Sequence, residues 1–441
     1  MNYINRLLTI ILLTLFYLSG VAQNSENKLD SREQQLTIDS ISARLKTHYI
    51  FPEVADKMSE LIKGNFKKKK YLDLTDPYVF ANQLTEDLRS VSKDLHLRVM
   101  YSPDQIAEMN NAVSDKDREE LEKRQVEQMR RENFGFKEIK MLAGNIGYLD
   151  LRGFFPPEYG GETAVAAMNF LSNADALIID LRQNGGGNPG MIQLISSYLF
   201  DAEPVHLNNF YWRPSDEHTQ TWTLPYVQGK RRPDIDTYVL TSKGTFSAAE
   251  EFSYNLKNLE RATLIGETTG GGAHPGGVVN VTDKYMVWLP QGRAINPITN
   301  TNWEGTGVTP NIEVKAEEAL ETAQIKALEK LMKDSKDSTK VELYEWYLDG
   351  IKAKMNSVKL DESMLKTYAG TYGSREIIFD KDHLVYQRDG RFKYSLIPFD
   401  DNWFVVDGVD NFRIEFTREG QDVSLIVHYM SGNTDKSPKT Q

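Results

Sequence analysis

The sequence predicts a mixed α/β protein with three parts: an N-terminal helical bundle, an α/β core and a small C-terminal antiparallel β-domain. Three observations predict this fold. Apolar residues recur at helical spacing over residues 36–91. Buried strand patterns alternate with helices and glycine-rich turns over residues 146–289. From residue 365 onward, short strand patterns follow one another between turn residues. At 441 residues, the chain is long enough to bury two or three such cores.

The composition is typical of a globular protein, with 40% hydrophobic and 26% charged residues. The net charge of −11 disfavours a nucleic-acid partner or an anionic membrane surface, because both would repel an acidic chain. The sequence contains no cysteine, which excludes disulfides, thiolate metal sites and cysteine catalysis.

Residues 1–22 have the pattern of a secretory signal peptide. Arg6 precedes an apolar run at residues 7–18, and small residues follow it up to Ala22, the predicted cleavage site. The apolar run is shorter than the roughly 20 residues that a transmembrane helix needs, and no later stretch is long and apolar enough to be one. We therefore expect an exported protein, periplasmic or extracellular, with an uncleaved anchor as the alternative.

The helical pattern of residues 36–91 is interrupted at Pro52 and Pro77, which predicts about three helices. The next long segment, residues 102–136, is strongly charged and predicts an exposed helical insert. Further along, a strand pattern at residues 176–180 runs into a turn with three consecutive glycines. A nucleotide-binding loop is disfavoured there, because neither Gly-Lys-Ser/Thr nor the Gly-x-Gly-x-x-Gly spacing is present.

The most informative stretch is residues 238–277. A buried strand pattern at residues 238–241 is followed by small residues, then Ser247, then a helical pattern from residue 251. A serine at such a turn lies near a helix N-terminus, where free backbone N–H groups can stabilise an oxyanion. Ser247 and Glu250 also match a capping box, so a purely structural role stays open on this stretch alone.

Residues 245–252, with Arg261 and the glycine-rich loop 266–272, resemble the C-terminal processing peptidase superfamily. The resemblance is strongest to the branch that contains the tricorn core and the interphotoreceptor retinoid-binding protein modules, and it covers residues 48–314. It implies a core of the ClpP/crotonase-like α/β type and a serine endopeptidase that acts on peptides or unstructured protein tails. It implies no cofactor and no metal.

The resemblance also assigns the catalytic residues. Ser247 corresponds to the nucleophile, and His96, in an Asp-x-His segment, corresponds to the base. Glu304, in a Trp-Glu-Gly-x-Gly-Val segment, corresponds to the residue that orients the base directly or through water. The backbone N–H of Gly186 or Gly187, together with that of Ala248, corresponds to the oxyanion hole.

Two positions depart from the family pattern. Leu95 stands where the tricorn core has a serine, which leaves the orienting partner of His96 open. Gly272 stands 25 residues after Ser247, where processing peptidases have a lysine base, so histidine is the preferred base. His274 is the competing histidine, but Pro275 restrains it to extended backbone, and we expect it to shape the loop beneath the site. The charged insert lacks the strand pattern of a PDZ domain.

A binding protein for an apolar small molecule or peptide is the alternative function, since retinoid-binding modules share this resemblance. The expected partner is otherwise a peptide or unstructured protein substrate, and the oligomeric state stays open. After the signal peptide, the predicted domains are a helical bundle (36–93), a peptidase core (94–332), a linker and helix (333–360), a β-domain (361–432) and a disordered tail (433–441).

Overall fold

The computed structural model describes residues 29–111, 114–420 and 422–440, so the predicted signal peptide lies outside the described residues. The chain divides into two compact units. One holds the residues up to Met141 together with Gly147–Ala319, and the other holds Leu142–Ile146 and the residues from Leu320 onward. Across the described ranges, no helix is both long enough and apolar enough to cross a membrane. The predicted mixed α/β fold class is confirmed.

The first unit begins with three helices, α1 (Ser31–His48), α2 (Pro52–Lys67) and α3 (Pro77–Ser92). Proline occupies the first position of α2 and α3, where its missing N–H would have no partner in any case. The side chain of Asp76 caps α3 by accepting bonds from two backbone N–H groups of the first turn. These helices are the ones that the apolar spacing predicts.

The charged insert forms two further helices, α4 (Pro103–Asn111) and α5 (Asp115–Arg131). Ser114 and Asp117 make a reciprocal capping box at the start of α5. Strand β1 (Arg98–Tyr101) lies just before the insert and begins two residues after His96.

The remaining elements of the first unit alternate strands and helices. The strands are β2 (Phe136–Leu142), β3 (Ile146–Leu151), β4 (Ala176–Asp180), β5 (His206–Trp212), β6 (Glu217–Trp222), β7 (Asp236–Thr241), β8 (Thr263–Gly266), β9 (Gly276–Asn280), β10 (Tyr285–Pro290), β11 (Gly292–Ile295) and β12 (Ile312–Glu313). The helices are α6 (Pro157–Phe170), α7 (Pro189–Ser197) and α8 (Ala248–Asn258).

A six-stranded sheet in the order β12-β8-β7-β4-β3-β2 forms the centre of the core. Strands β4, β7, β8 and β12 run parallel, and every residue of β3 and β4 is buried. Because parallel strands end at the same edge, the chain leaving β4 and the chain leaving β7 emerge side by side. The first carries the glycine-rich turn and the second carries Ser247, so the sheet brings these two loops together.

Two smaller sheets complete the first unit. In one, β10 lies between β1 and β9 and pairs with both in antiparallel register, and its buried side chains pack with those of α1–α3. In the other, β5 lies between β11 and β6. The sequence pattern at residues 290–294 predicts a turn, but residues 292–295 are strand β11. That prediction is wrong, because pairing with β5 continues the extended backbone beyond Pro290.

The second unit contains helices α9 (Ala319–Asp334), α10 (Ser338–Met355) and α11 (Glu362–Tyr368), followed by an eight-stranded antiparallel meander. Its strands are β13 (Gly370–Tyr372), β14 (Arg375–Asp380), β15 (His383–Arg388), β16 (Lys393–Pro398), β17 (Trp403–Val406), β18 (Val409–Glu419), β19 (Asp422–Tyr429) and β20 (Thr434–Pro438).

The predicted disordered tail, residues 433–441, is wrong for residues 434–438, which form the edge strand β20 and pair with β19. The residues of β20 are polar, so their sequence carries no apolar strand pattern. Strand pairing needs only the backbone, and the buried guanidinium of Arg375 adds an ion pair with Asp435.

Candidate active site

Ser247 lies at the turn between β7 and α8, immediately before the first residue of the helix. Its backbone has φ 55° and ψ −119°, a positive φ that is uncommon for a residue with a side chain. An ordinary N-cap residue has extended backbone. Strained backbone of this kind is concentrated at functional sites, which makes Ser247 a candidate functional residue in addition to a helix cap.

The carboxylate of Glu250 holds this turn against the neighbouring glycine-rich loop. It is fully buried and accepts the backbone N–H of Ser247 at 2.9 Å, that of Gly271 at 2.6 Å and that of Gly272 at 2.8 Å. The hydroxyl of Thr269 donates a fourth bond. Burial raises the pKa of Glu250, while these four bonds lower it. The sequence predicted only the capping bond within the helix, because the other partners come from a loop about twenty residues away.

His96 is buried against the ring of Phe246, with ring centroids 4.6 Å apart. Its backbone N–H donates to Asp94 Oδ1 at 3.1 Å, and its Nδ1 lies 4.0 Å from the same oxygen. Neither ring nitrogen has a hydrogen-bond partner among the described residues. Burial lowers the pKa of His96 to about 4, against the opposing charge of Asp94. The imidazole is therefore neutral at neutral pH and can accept a proton.

Ser247 and His96 line the same cavity, which has a volume of about 520 Å³. Gly187 and Ala248 also line this cavity. Gly187 has φ 140°, and a Cβ built on it would lie 2.0 Å from the carbonyl oxygen of Phe154, so only glycine fits.

Gly186, by contrast, is not among the residues on the cavity wall, although it packs directly under the serine. A Cβ built on Gly186 would lie 2.8 Å from Ser247 Cβ. The backbone N–H of Gly186 donates to Asn184 Oδ1 at 2.9 Å. Of the two predicted glycines, Gly187 is therefore the one that the cavity exposes to a bound molecule.

Glu304 lies in a buried cluster with Asp94 and His274. Its Oε2 accepts the backbone N–H of Ala273 at 2.6 Å and lies 3.4 Å from His274 Nδ1. His274 Nδ1 in turn lies 2.8 Å from Asp94 Oδ2. Burial, and then the charge of Asp94, raises the pKa of Glu304. No contact in the described structure joins Glu304 to His96, so the predicted direct orienting contact is not observed.

Sequence reasoning missed this cluster. Asp94 was visible only as part of the Asp-x-His segment, and His274 as a residue restrained by Pro275. Neither pattern indicates that the two side chains meet, since 180 positions separate them. The donor atoms of Asp94, His274 and Glu304 lie within 4.8 Å of one another, a spacing that a metal ion could also use. The hydrogen bond between Asp94 and His274 already accounts for their proximity, and the absence of a metal stays a prediction.

Among solved structures, the chain is similar to a lipoprotein from Streptococcus agalactiae, at 13% identity and a TM-score of 0.45, over 71% of this chain and 100% of that chain. It is also similar to the photosystem II D1 C-terminal processing protease, at 14% identity and a TM-score of 0.41, over 64% of this chain and 93% of that one. For the tricorn protease the identity is 15% and the TM-score 0.41, over 66% of this chain and 35% of that chain. All three likenesses are low.

Two family matches carry more weight. The N-terminal domain of peptidase S41 in eukaryotic IRBP matches residues 30–134, and peptidase family S41 itself matches residues 145–314. The two segments follow each other along the chain and together span more than half of it. The serine turn, the glycine-rich turn and the segment around Glu304 all lie within the second match. The chain therefore belongs to peptidase family S41.

Proposed function

We propose that this family S41 peptidase is an exported serine endopeptidase that hydrolyses peptide bonds in peptides or unstructured protein tails. The observation that carries the proposal is the shared cavity of Ser247 and His96, in which a strained serine faces the same space as a neutral imidazole. Ser247 Oγ attacks the carbonyl carbon of the cleaved bond while His96 takes the hydroxyl proton. The imidazolium then protonates the leaving amine. Water hydrolyses the acyl-enzyme with the same histidine as base.

Packing around Gly272 supports histidine rather than lysine as the base. A Cβ built on Gly272 would lie 2.3 Å from Phe246 Cζ and 2.7 Å from His96 Cε1. No side chain fits there without displacing both rings. The burial of His96 keeps the imidazole unprotonated near neutral pH, which is the form that can accept a proton.

For the oxyanion hole we assign the backbone N–H groups of Gly187 and Ala248. Both residues line the cavity, and neither N–H donates to an acceptor among the residues that the structure describes. Ala248 begins helix α8, so the positive end of the helix dipole points at the same place. Gly186, the other predicted donor, has its N–H on Asn184 and acts by allowing the close approach to Ser247.

Glu304 acts as a positioning residue in this proposal. Its contacts lead to His274 and to the backbone of Ala273, and the cluster reaches His96 through Asp94. Asp94 is therefore the nearer candidate for stabilising the imidazolium that forms during the reaction. Export is supported by the signal-peptide pattern of residues 1–22, and the expected compartment is periplasmic or extracellular.

A fluorophosphonate probe, which reacts with activated serines, tests the proposal. Wild type should be labelled and Ser247→Ala should not. Ser253→Ala is the matched control, because Ser253 is buried in the same helix and its hydroxyl donates to the carbonyl oxygen of Ala249. Labelling of Ser247→Ala at the wild-type level would refute the assignment of the nucleophile.

The alternative, a binding protein for an apolar small molecule or peptide, draws support from the aromatic side chains on the cavity wall, including Trp212, Trp288 and Trp303. It predicts that wild type is not labelled, while an apolar fluorescent ligand binds equally well to wild type and to Ser247→Ala.

A further inference from the structure

Glu251 is a buried acid that the proposed catalysis does not use. It lies on helix α8, one turn after Ser247, and only 4% of its surface is exposed. Even so, it is one of the residues that line the cavity shared by Ser247 and His96. Its neighbour Glu250 has a structural role in the serine turn, but Glu251 makes none of those bonds.

The carboxyl of Glu251 has no cationic partner among the described residues, since no ion pair joins it to lysine, arginine or histidine. Its polar neighbours are the side-chain amides of Asn208 and Asn255, which lower its pKa, whereas burial raises that pKa to about 7. An ionised carboxylate without a counter-charge is expensive to bury. A cation that enters the cavity would therefore gain a desolvated ionic contact there.

The position of Glu251 matches the reach of a substrate side chain. The backbone N–H of Glu251 donates to the carbonyl oxygen of Ser247 at 3.0 Å, so the two residues lie one helical turn apart, roughly 6 Å along the axis. The four-carbon stem of lysine spans a similar distance. When Ser247 attacks a carbonyl carbon, the side chain on the same residue can thus extend along α8 towards Glu251.

The walls of the cavity suit a long cationic side chain. Phe210 and Trp212 from β5 and Trp288 from β10 contribute aromatic rings to the cavity. Such rings pack against alkyl stems and attract cations to their faces. Among the described residues that line the cavity there is no lysine or arginine, and the second acid on the wall is the exposed Glu217.

We infer that this cavity is the subsite for the side chain on the acyl side of the cleaved bond, and that it selects lysine or arginine through Glu251. The inference rests on the proposed function for its orientation, because Ser247 defines which residue of the peptide enters the cavity. A neutral side chain of equal length would fill the space and leave the carboxylate unpaired. Selectivity therefore comes from the charge and not from the shape.

The test uses fluorogenic peptides that differ only at the residue before the cleaved bond: lysine, arginine, norleucine or glutamate. At about pH 8.5, where a carboxyl of this pKa is ionised, wild type should have a kcat/KM at least tenfold higher for lysine than for norleucine. Glu251→Gln should bring this ratio close to one. Glu158→Gln, which changes an exposed acid on α6, is the matched control and should keep the wild-type ratio.

Glu251→Asp is the second variant, for the case in which the glutamine variant fails to fold. It keeps the charge but withdraws it by one methylene, so the preference should move from lysine towards the longer arginine. Hydrolysis by wild type without a preference for lysine or arginine would overturn the inference. So would a preference that survives in Glu251→Gln, or an unchanged lysine preference in Glu251→Asp.

A binding measurement separates failure of this inference from failure of the peptidase assignment. Acetylated peptide amides ending in lysine or norleucine are titrated against Ser247→Ala, with the tryptophan fluorescence of the cavity as the signal. Tighter binding of the lysine peptide, lost in Ser247→Ala/Glu251→Gln, supports the cationic subsite even if wild type hydrolyses nothing. Equal binding of the two peptides overturns it, whatever the activity.

Discussion

Replacing Gly272 by alanine tests whether catalysis needs the ring of His96 where it lies. The new Cβ would stand 2.3 Å from Phe246 Cζ and 2.7 Å from His96 Cε1, whereas ordinary contact begins at 3.4 Å. Both rings must therefore withdraw by roughly 1 Å, and a misplacement of that size at a catalytic group can lower the rate about 100-fold. We expect kcat/KM to fall by that order, with most of the loss in kcat.

The assay is hydrolysis of a fluorogenic peptide, with thermal unfolding to show that the variant is folded. Gly185→Ala is the matched control, since it lies in the glycine-rich turn near the site and a Cβ there meets no atom within 4 Å. The control should keep its activity. A folded Gly272→Ala protein with kcat/KM within about threefold of wild type would refute the reasoning, because His96 would then not be the base or would tolerate displacement.

Three further predictions follow from the titrating groups. His96→Ala should lower kcat by a factor on the order of 10³ or more, while His274→Ala keeps measurable activity; the reverse ranking would move the base to His274. Because burial lowers the pKa of His96 to about 4, kcat/KM should decline with falling pH near 4, and a decline near 6.5 would contradict a buried base. Burial raises the pKa of Glu251 from 4.5 to about 7. Between these two pH values the folded protein keeps the carboxyl proton that the unfolded chain releases, so the free energy of unfolding decreases as the pH rises from 4.5 to 7. Glutamine at position 251 cannot ionise, so Glu251→Gln should not lose this stability. Urea unfolding should show that its free energy of unfolding, relative to that of wild type, is higher at pH 8 than at pH 4.5 by up to about 3 kcal/mol. A difference that does not change with pH would contradict the burial argument.

Local patterns predicted much of the fold and part of the site. The spacing of apolar residues predicted α1–α3, because burial on one face repeats every turn of a helix. The strand-turn-helix pattern predicted the surroundings of Ser247, and the parallel sheet then brings Gly186 beside it.

Contacts between distant loops were not predictable in this way. The Asp94–His274–Glu304 cluster has no periodic pattern. Glu304 was predicted to orient His96 directly or through water, whereas the described contacts of its carboxylate are with His274 and Ala273. The burial of Glu251 was missed for a related reason. An acid near the start of a helix normally faces water, and only the packing of other strands around the cavity places this one inside.

The antiparallel pairing of β1 with β10 has a consequence for synthesis of the chain. Residue 98, two positions after His96, pairs with residue 288, so the segment that carries the base pairs with a strand translated about 40 residues after Ser247. A chain still emerging from the ribosome would carry Ser247 without an ordered partner to activate it. The order of elements along the chain thus delays assembly of the site until β10 has been made, and a chain released at residue 275 should not react with a fluorophosphonate probe.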